Sequence, residues 1–280
     1  MISSIVRIKS DMNDILKNPL DSDGVFPIFD ENDIFHVKAL IIGSRKTPYE
    51  GGFFVFDIRF PNDYPMKPPA VLFELVDNGV RFNPNLYRDG KVCLSIINTW
   101  SGPQWTPCNT LRTVLLSISV MVFNDYPLRN EPGHQDDSIE VLERYNSFVQ
   151  YQTMNVGVFK TLNYYSTLTH VNDINKQLFD IMCRHFSANE ADYDAIIQTN
   201  LQKHDGKLID TEYGMRAILN YSGLSKYFKE LHEMFVLPKY SEMKVEELRK
   251  LASERNISVK VKKDGKMKYK TKKELVDDLS

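Results

Sequence analysis

The chain is poor in cysteine and in long apolar stretches. Cysteine occurs at positions 93, 108 and 183 of the 280 residues. An odd number at irregular spacing excludes a disulfide framework and a Cys-x-x-Cys metal site, and it favours a reducing compartment. No run of about 18 apolar residues is present, so no membrane partner is expected. The N-terminus lacks the pattern of a signal peptide. The sequence therefore predicts an intracellular protein.

Composition predicts a soluble globular protein with one large domain or two modest ones, because 42% of the residues are hydrophobic and 26% are charged. The net charge of −2 hides an asymmetry. Residues 238–280 contain 13 Lys and Arg against 8 Asp and Glu, which makes this tail +5 and leaves −7 for residues 1–237. Such an asymmetry predicts a separate tail with a partner of its own.

Hydrophobic periodicity predicts a helix at the start of the chain, ended by Asn18-Pro19, and then strands over residues 34–42, 53–60 and 71–75. Short connections between these strands favour an antiparallel meander. Residues 76–110 have turn residues throughout and no period, which is long for a loop without a function.

Helices are predicted for most of the remaining chain. The first spans 111–123 with a cap at Thr110 and with Met121 on its buried side, and the second spans 138 to about 161 with Ile139 facing inward. Two or three more are predicted between 175 and 235, and the last of these includes Ile218.

The segment 81–95, here called the nucleophile loop, holds the chemistry. Its turn Asn83-Pro84-Asn85 comes eight positions before Cys93, and a second turn, Arg88-Asp89-Gly90, lies between them. A turn-rich segment that ends in a thiol predicts a presented nucleophile, because the thiolate is the reactive form of cysteine. The alternative is a buried structural cysteine. A cysteine protease would need a histidine as base, and the six histidines form no protease signature.

Several separated motifs resemble the ubiquitin-conjugating enzymes, in that family's order and spacing over about residues 2–150. The motifs are Tyr49-Glu50-Gly51-Gly52-Phe53-Phe54, Phe60-Pro61-Asn62-Asp63-Tyr64-Pro65-Met66-Lys67-Pro68-Pro69, Asn83-Pro84-Asn85 and Gly90-Lys91-Val92-Cys93-Leu94. Further motifs look most like the large Z-type branch of the family: Phe82-Asn83-Pro84-Asn85, Thr99-Trp100-Ser101-Gly102-Pro103-Gln104-Trp105-Thr106-Pro107 and Asn130-Glu131-Pro132-Gly133.

The resemblance implies an α+β fold of the ubiquitin-conjugating type. It consists of an N-terminal helix, an antiparallel β-meander, a long active-site loop and C-terminal helices, followed by a helical extension and a small C-terminal module. We expect a conjugating core over residues 1–165, the helical extension over 166–237 and a basic tail over 238–280.

The implied activity is acceptance of ubiquitin or a ubiquitin-like protein from an activating enzyme as a thioester on Cys93, and its transfer to substrate lysines, usually with a ligase. Asn85 is the implied donor that assists the oxyanion or holds the loop. Asn130 and Glu131 are the nearest matches to the group that helps lysine lose its charge. No cofactor is expected, since the upstream activating enzyme uses the ATP. An ordinary turn residue is the alternative for Asn85.

Partner contacts are implied at Arg7, Met66, Trp105 and Pro107. Asn83 departs from the family, most of whose members have a histidine that braces the loop, although the Z-type branch shares the asparagine. The implied location is the cytoplasm or nucleus, of a host cell if the chain is viral.

The tail resembles a SAP-type module, similar to tails on proteins of large DNA viruses. A helix near 243–252 is followed by a lysine-rich linker with a turn at Asp264-Gly265, and Thr271 and Glu274 form a capping box for a last helix. Eight lysines and one acid between 259 and 273 predict contact with nucleic-acid phosphate. A solvated basic tail is the open alternative. For the whole chain, the alternative is a non-enzymatic ubiquitin-pathway scaffold with a nucleic-acid-binding tail.

Overall fold

The computed structural model describes residues 4–74, 76–77, 79–235, 240, 243–254, 257–263 and 266–279. The helices are α1 (Ser4–Lys17), α2 (Leu111–Ser117), α3 (Ile139–Gln152), α4 (Thr161–Leu168), α5 (Asp173–Ala188), α6 (Glu190–His204), α7 (Tyr221–Phe235), α8 (Val245–Glu254) and α9 (Lys272–Leu279). The strands are β1 (Val25–Phe29), β2 (His36–Ile42), β3 (Phe53–Arg59), β4 (Ala70–Phe73), β5 (Leu208–Thr211), β6 (Met215–Ile218), β7 (Lys260–Lys263) and β8 (Lys266–Tyr269).

Strands β1 to β4 form one antiparallel sheet in sequence order. The predicted meander is therefore confirmed, although the predicted end of its last strand, Leu75, lies outside the described residues. The sequence prediction missed β1, which is five residues long and contains Pro27 opposite Ala39. Proline is tolerated there because β1 is an edge strand and can spare a backbone donor.

Both faces of the central strands β2 and β3 are buried, and the alternation of side chains along each strand divides their residues between the two faces. One face packs with α1, α2 and α3, and the other packs with the helices that follow α3. Residues of β2 and β3 on the first face are Ala39, Ile41, Phe54 and Phe56. Their neighbours on the second face are Leu40, Ile42, Phe53 and Val55. The sheet is thus the middle layer of three, and the cluster on its second face extends to Leu248 of α8 and Leu275 of α9.

Helix α2 begins as predicted, because the Thr110 hydroxyl accepts the Thr113 N–H at 3.2 Å. It continues as a π-helical turn over Ile118–Val122. That change of register leaves Met121 53% exposed, so its predicted burial is wrong. Ile139, at the first turn of α3, is also exposed rather than buried. A second π-helical stretch, Thr153–Lys160, joins α3 to α4.

A β-hairpin lies where the sequence predicted only helices. Strand β5 pairs with β6, and a 3-10 turn, Glu212–Gly214, connects them. Tyr213 and Gly214 in this turn both have positive φ, at 62° and 64°. Ile218, assigned from sequence to the last long helix, ends β6 instead, and α7 begins at Tyr221.

The tail consists of α8, the hairpin β7–β8 and α9. The predicted capping box is present, since Thr271 N–H donates to Glu274 Oε2 at 2.8 Å and Glu274 N–H donates to the Thr271 hydroxyl at 3.3 Å. The predicted turn at Asp264-Gly265 lies outside the described residues. Among the helices that the structure describes, none has the length and apolar character needed to cross a membrane.

Candidate active site

The Asn83-Pro84-Asn85 turn is built around the Asn83 side chain, which is fully buried. Its Oδ1 accepts the Asn85 N–H at 2.7 Å. Its Nδ2 donates to Tyr49 Oη at 3.1 Å and to the Val122 carbonyl at 2.7 Å. The Asn83 side chain therefore ties the turn to the core.

Cys93 and Asn85 are joined by a reciprocal pair of hydrogen bonds. The Cys93 N–H donates to the Asn85 carbonyl at 2.8 Å, and Asn85 Nδ2 donates to the Cys93 carbonyl at 2.6 Å. Thr99 holds the other side, because its hydroxyl donates to the Val92 carbonyl at 2.7 Å and accepts the Leu94 N–H at 2.9 Å. The backbone on both sides of the sulfur is thus fixed by side chains. Asn85 Oδ1 is buried and has no hydrogen-bond partner among the residues that the structure describes.

The second turn of the loop depends on Gly90. Its φ is +86°, a value that other residues rarely adopt. Its N–H donates to the Tyr87 carbonyl at 3.0 Å, and its own carbonyl accepts the Phe73 N–H of β4 at 2.8 Å. A Cβ at this position would lie 2.9 Å from the Phe73 carbonyl oxygen. The nucleophile loop is therefore packed directly against the sheet.

Cys93 is only 2% exposed, so the prediction of an openly presented thiol is wrong for this conformation. A large partner could reach the sulfur only after local side chains had moved. Among the described residues the three cysteines form no disulfide bond; Cys108 is exposed and Cys183 is buried.

Asn130 lies beside Asn83, and Glu131 follows it in the chain and contacts Tyr213. Asn130 Nδ2 donates to the Met121 carbonyl at 2.8 Å and approaches Asn83 Oδ1 at 3.5 Å. Glu131 Oε2 accepts a hydrogen bond from the Tyr213 hydroxyl at 2.7 Å. Burial, followed by the hydrogen bond to Glu131, raises the pKa of Tyr213, so its hydroxyl stays protonated at neutral pH and donates this hydrogen bond.

The four predicted partner-binding residues lie around the loop that contains Pro65. Met66 is 66% exposed and Pro107 is also exposed, whereas Trp105 is 8% exposed and its indole N–H donates to the Pro65 carbonyl at 2.7 Å. Arg7 is engaged within the chain: its guanidinium donates to the Pro107 carbonyl at 2.7 Å and pairs with Asp11 at 2.8 Å. Met66 and Pro107 are consequently the accessible members, and partner binding stays a prediction for all four.

The histidines lie elsewhere. His36 is held between Asp30 and Asp57 at 3.0 and 2.9 Å, and His134 contacts Asp137 at 2.7 Å. Hydrogen bonds among the described residues give Cys93 no histidine partner, which disfavours the protease alternative. Within the same part of the chain, no group of three or more His, Cys, Asp and Glu side chains could hold a metal ion.

Sequence reasoning missed Tyr213 and Arg81. The Arg81 guanidinium stacks on the Tyr213 ring at 4.0 Å and on the Tyr87 ring at 4.3 Å. The sequence did contain a signal for the hairpin, because Gly214 lies between two apolar pairs, Leu208-Ile209 and Ala217-Ile218. No spacing in the sequence indicated that the hairpin would contact the nucleophile loop.

The family profile described as "Ubiquitin-conjugating enzyme" matches residues 7–155, more than half of the chain. The chain therefore belongs to the ubiquitin-conjugating enzyme family, and its antiparallel sheet, long loop and helices are the fold of that family.

Individual relatives are similar to about half of the chain. The chain is 45% identical to ubiquitin-conjugating enzyme E2 Z of Xenopus tropicalis over 164 residues, which cover 56% of this chain and 50% of that protein. Identity to the Danio rerio E2 Z is 46% over 160 residues, covering 55% and 47%. The chain spans about half the length of these relatives. The E2 domain of a Toxoplasma gondii ubiquitin-conjugating enzyme is 29% identical, with a TM-score of 0.43, and the match covers 54% of this chain and 97% of that one.

Proposed function

We propose that the protein carries ubiquitin or a ubiquitin-like protein as a thioester on Cys93 and transfers it to lysine side chains. The Cys93 sulfur attacks the activated carboxyl carbon of the modifier, which the activating enzyme presents as a thioester. A new carbon–sulfur bond forms, and the thiolate of the activating enzyme leaves. The lysine amine then attacks the same carbon, and the electron pair returns to Cys93 as the amide forms.

The observation that carries this proposal is the paired hydrogen bonding between Asn85 and Cys93, in a chain of this family. A carrier receives an already activated thioester, so it needs a poised thiol more than a neighbouring base. The reciprocal bonds at 2.8 and 2.6 Å fix the backbone that bears the thiol. Since Asn85 Nδ2 is already bound to the Cys93 carbonyl, holding the loop is the role we assign to it in the free protein.

Asn130 and Glu131 are proposed to form the side at which lysine enters. Asn130 connects to the loop through Asn83, and the Glu131 carboxylate is the negative group of this pair. A carboxylate there favours approach of an ammonium group and accepts its proton. An activating enzyme, a ligase and substrate lysines are the partners that this function requires.

Charging tests the proposal. The full chain is incubated with activating enzymes, ATP and ubiquitin or ubiquitin-like proteins, and adducts are separated with and without thiol. We expect an adduct that thiol removes from the wild type and that Cys93→Ala does not form. In Cys93→Ser the adduct should become an oxygen ester that resists thiol. The matched control is Cys108→Ser, since Cys108 is the exposed cysteine. An unchanged adduct in Cys93→Ala would overturn the proposal.

The tail supports a second candidate function. Its hairpin pairs Lys260 with Tyr269 and Val261 with Lys268, so lysines recur along both strands between two helices. The Lys260 ammonium lies 4.7 Å from the Tyr269 ring centre. We propose that this hairpin contacts nucleic-acid phosphate, and that residues 238–280 form a functional unit separate from residues 1–165 and 166–237.

A further inference from the structure

The tip of hairpin β5–β6 lies against the nucleophile loop, although the two are far apart in sequence. Arg88 Nη2 donates to the Tyr213 carbonyl at 3.3 Å, across 125 positions. The Arg81 N–H donates to Met215 Sδ at 3.2 Å. Met215 is almost fully buried, and it lies in the same hydrophobic core as residues of strands β1 to β4. These contacts make the hairpin part of the wall of the candidate active site.

Arg81 connects the hairpin tip to the Asn83-Pro84-Asn85 turn. Its guanidinium lies between the rings of Tyr87 and Tyr213, at 4.3 and 4.0 Å, and its Nη2 donates to the Pro84 carbonyl at 2.5 Å. A planar cation held between two rings has little freedom to turn. The position of the Tyr213 ring is therefore tied to the position of the turn.

The direction of the Tyr213 side chain is set by its own backbone and by its neighbour. Its φ of 62° and ψ of 21° place it in the left-handed region, which a tyrosine adopts only where surrounding contacts hold it. Glu212 next to it pairs with Arg144 of α3 at 3.2 Å. The hydroxyl consequently reaches Glu131 Oε2 at 2.7 Å.

We propose that Tyr213 is a positioning residue for transfer to lysine. Its hydroxyl holds one oxygen of the Glu131 carboxylate, so that the other oxygen can receive the acceptor. This inference rests on the function proposed above. In the step concerned, the acceptor ammonium gives a proton to the Glu131 carboxylate, and the amine nitrogen bonds to the thioester carbon. The carbon–sulfur bond then breaks, the electron pair leaves on the Cys93 sulfur, and the second proton lost by the nitrogen passes to that sulfur, so that an amide and a thiol result.

A hydrogen-bonded carboxylate occupies fewer orientations than a free one, and correct orientation is a large part of the rate of such reactions. The Tyr213 ring need not change when its hydroxyl is removed, because the stack on Arg81 and the backbone bond to Arg88 do not use that atom. Tyr213→Phe therefore isolates the hydrogen bond to Glu131.

The test follows discharge of the charged full chain after ATP removal. Two acceptors are compared: free lysine, whose amine is protonated at neutral pH, and hydroxylamine, an amine that is uncharged there. Tyr213→Phe should slow discharge onto lysine about tenfold, the effect of losing a hydrogen bond to a charged group. Discharge onto hydroxylamine should stay within about twofold of the wild type, since that acceptor has no proton to lose before attack.

Two further variants make the test specific. Glu131→Gln should slow discharge onto lysine at least as much as Tyr213→Phe, and the double variant should be no slower than Glu131→Gln alone, because the hydroxyl acts through the carboxylate. Tyr126→Phe is the matched control. It removes the same atom from another ring that stacks on an arginine, Arg129 at 5.1 Å, and it should discharge at the wild-type rate.

The outcomes distinguish failure of the proposed function from failure of the positioning role. A wild type that cannot be charged overturns the proposed function and this inference with it. If the wild type charges, equal slowing towards lysine and hydroxylamine, or additive effects in the double variant, overturns the positioning role alone. Equal melting temperatures of Tyr213→Phe and the wild type would show that slower discharge does not arise from unfolding.

Discussion

Asn85 Nδ2 donates to the Cys93 carbonyl at 2.6 Å, and the Cys93 N–H donates to the Asn85 carbonyl at 2.8 Å. The asparagine thus contacts the residue that bears the thiol rather than the thiol itself. Because the donor is already used, its first effect is on the shape of the loop.

We expect Asn85→Ala to accept the modifier but to discharge it onto lysine about 100-fold more slowly, because a loop that lacks the bond to the Cys93 carbonyl holds the thioester less precisely, and small misplacements have effects of this size. The loss of the bond to the Cys93 carbonyl should also speed hydrogen exchange at the Cys93 amide. Discharge at the wild-type rate would contradict a role in transfer. Faster exchange together with unchanged discharge would leave Asn85 a structural role only.

Gly90→Ala should lower the free energy of unfolding by about 2 kcal/mol or more. Part of the loss comes from the positive φ of 86°, which alanine adopts at a cost of about 1 kcal/mol. The rest comes from a Cβ placed 2.9 Å from the Phe73 carbonyl oxygen. Denaturant unfolding measures both contributions. Gly206→Ala is the control, since Gly206 has φ +74° and a Cβ added there would meet nothing within 4 Å. Equal losses in the two variants would contradict the proposed clash.

His185 should make stability depend on pH. Burial and then the nearby positive charge of Arg45 lower the pKa of His185 from 6.5 to about 4. Below about pH 6.5 the unfolded chain binds a proton at His185, whereas the folded chain binds it only below about pH 4. The free energy of unfolding therefore decreases as the pH falls through this window. The loss amounts to at most about 3 kcal/mol by pH 4. Urea unfolding from pH 7.5 to 4.5 should have a shallower pH slope in His185→Asn. An unchanged slope would mean that other groups cause it.

Binding of the tail to duplex DNA should weaken steeply with salt. Replacing Lys260 and Lys268 by glutamine should reduce the slope of log K against log salt by up to about 1.8, because each phosphate contact contributes about 0.9. Lys226 and Lys229, exposed on α7, provide a control with the same change of charge outside the tail. An absence of binding at low salt, or an equal effect of the control pair, would favour the solvated basic tail.

The sequence was sufficient for the parts of the fold that local patterns determine. Period and turn residues predicted α1, β2 to β4, the Thr110 cap and the nucleophile loop, and the quoted motifs indicated the family. The contact between Asn83 and Val122 could not be predicted, because the two residues are far apart in the chain and no sequence pattern indicates the hydrogen bond between them.

The prediction missed hairpin β5–β6 for a different reason. Its strands are four residues long, and Ile218 and Leu219 continue the apolar period of the following helix. Local patterns therefore favoured a helix, and the contacts that stabilise strands, such as Met215 in the core, are visible only in three dimensions. Tyr213 was missed with the hairpin that carries it.

The burial of the second sheet face determines how the chain can be divided. Leu40 and Ile42 of β2 and Phe53 and Val55 of β3 face the helices after α3, and the same cluster includes residues of α5 and α7. A shortened chain that ends near residue 165 would expose these four side chains to water. We expect it to aggregate or to lose stability, and the full chain to melt in a single transition. The limit of sequence similarity near residue 155 is thus not a limit of independent folding.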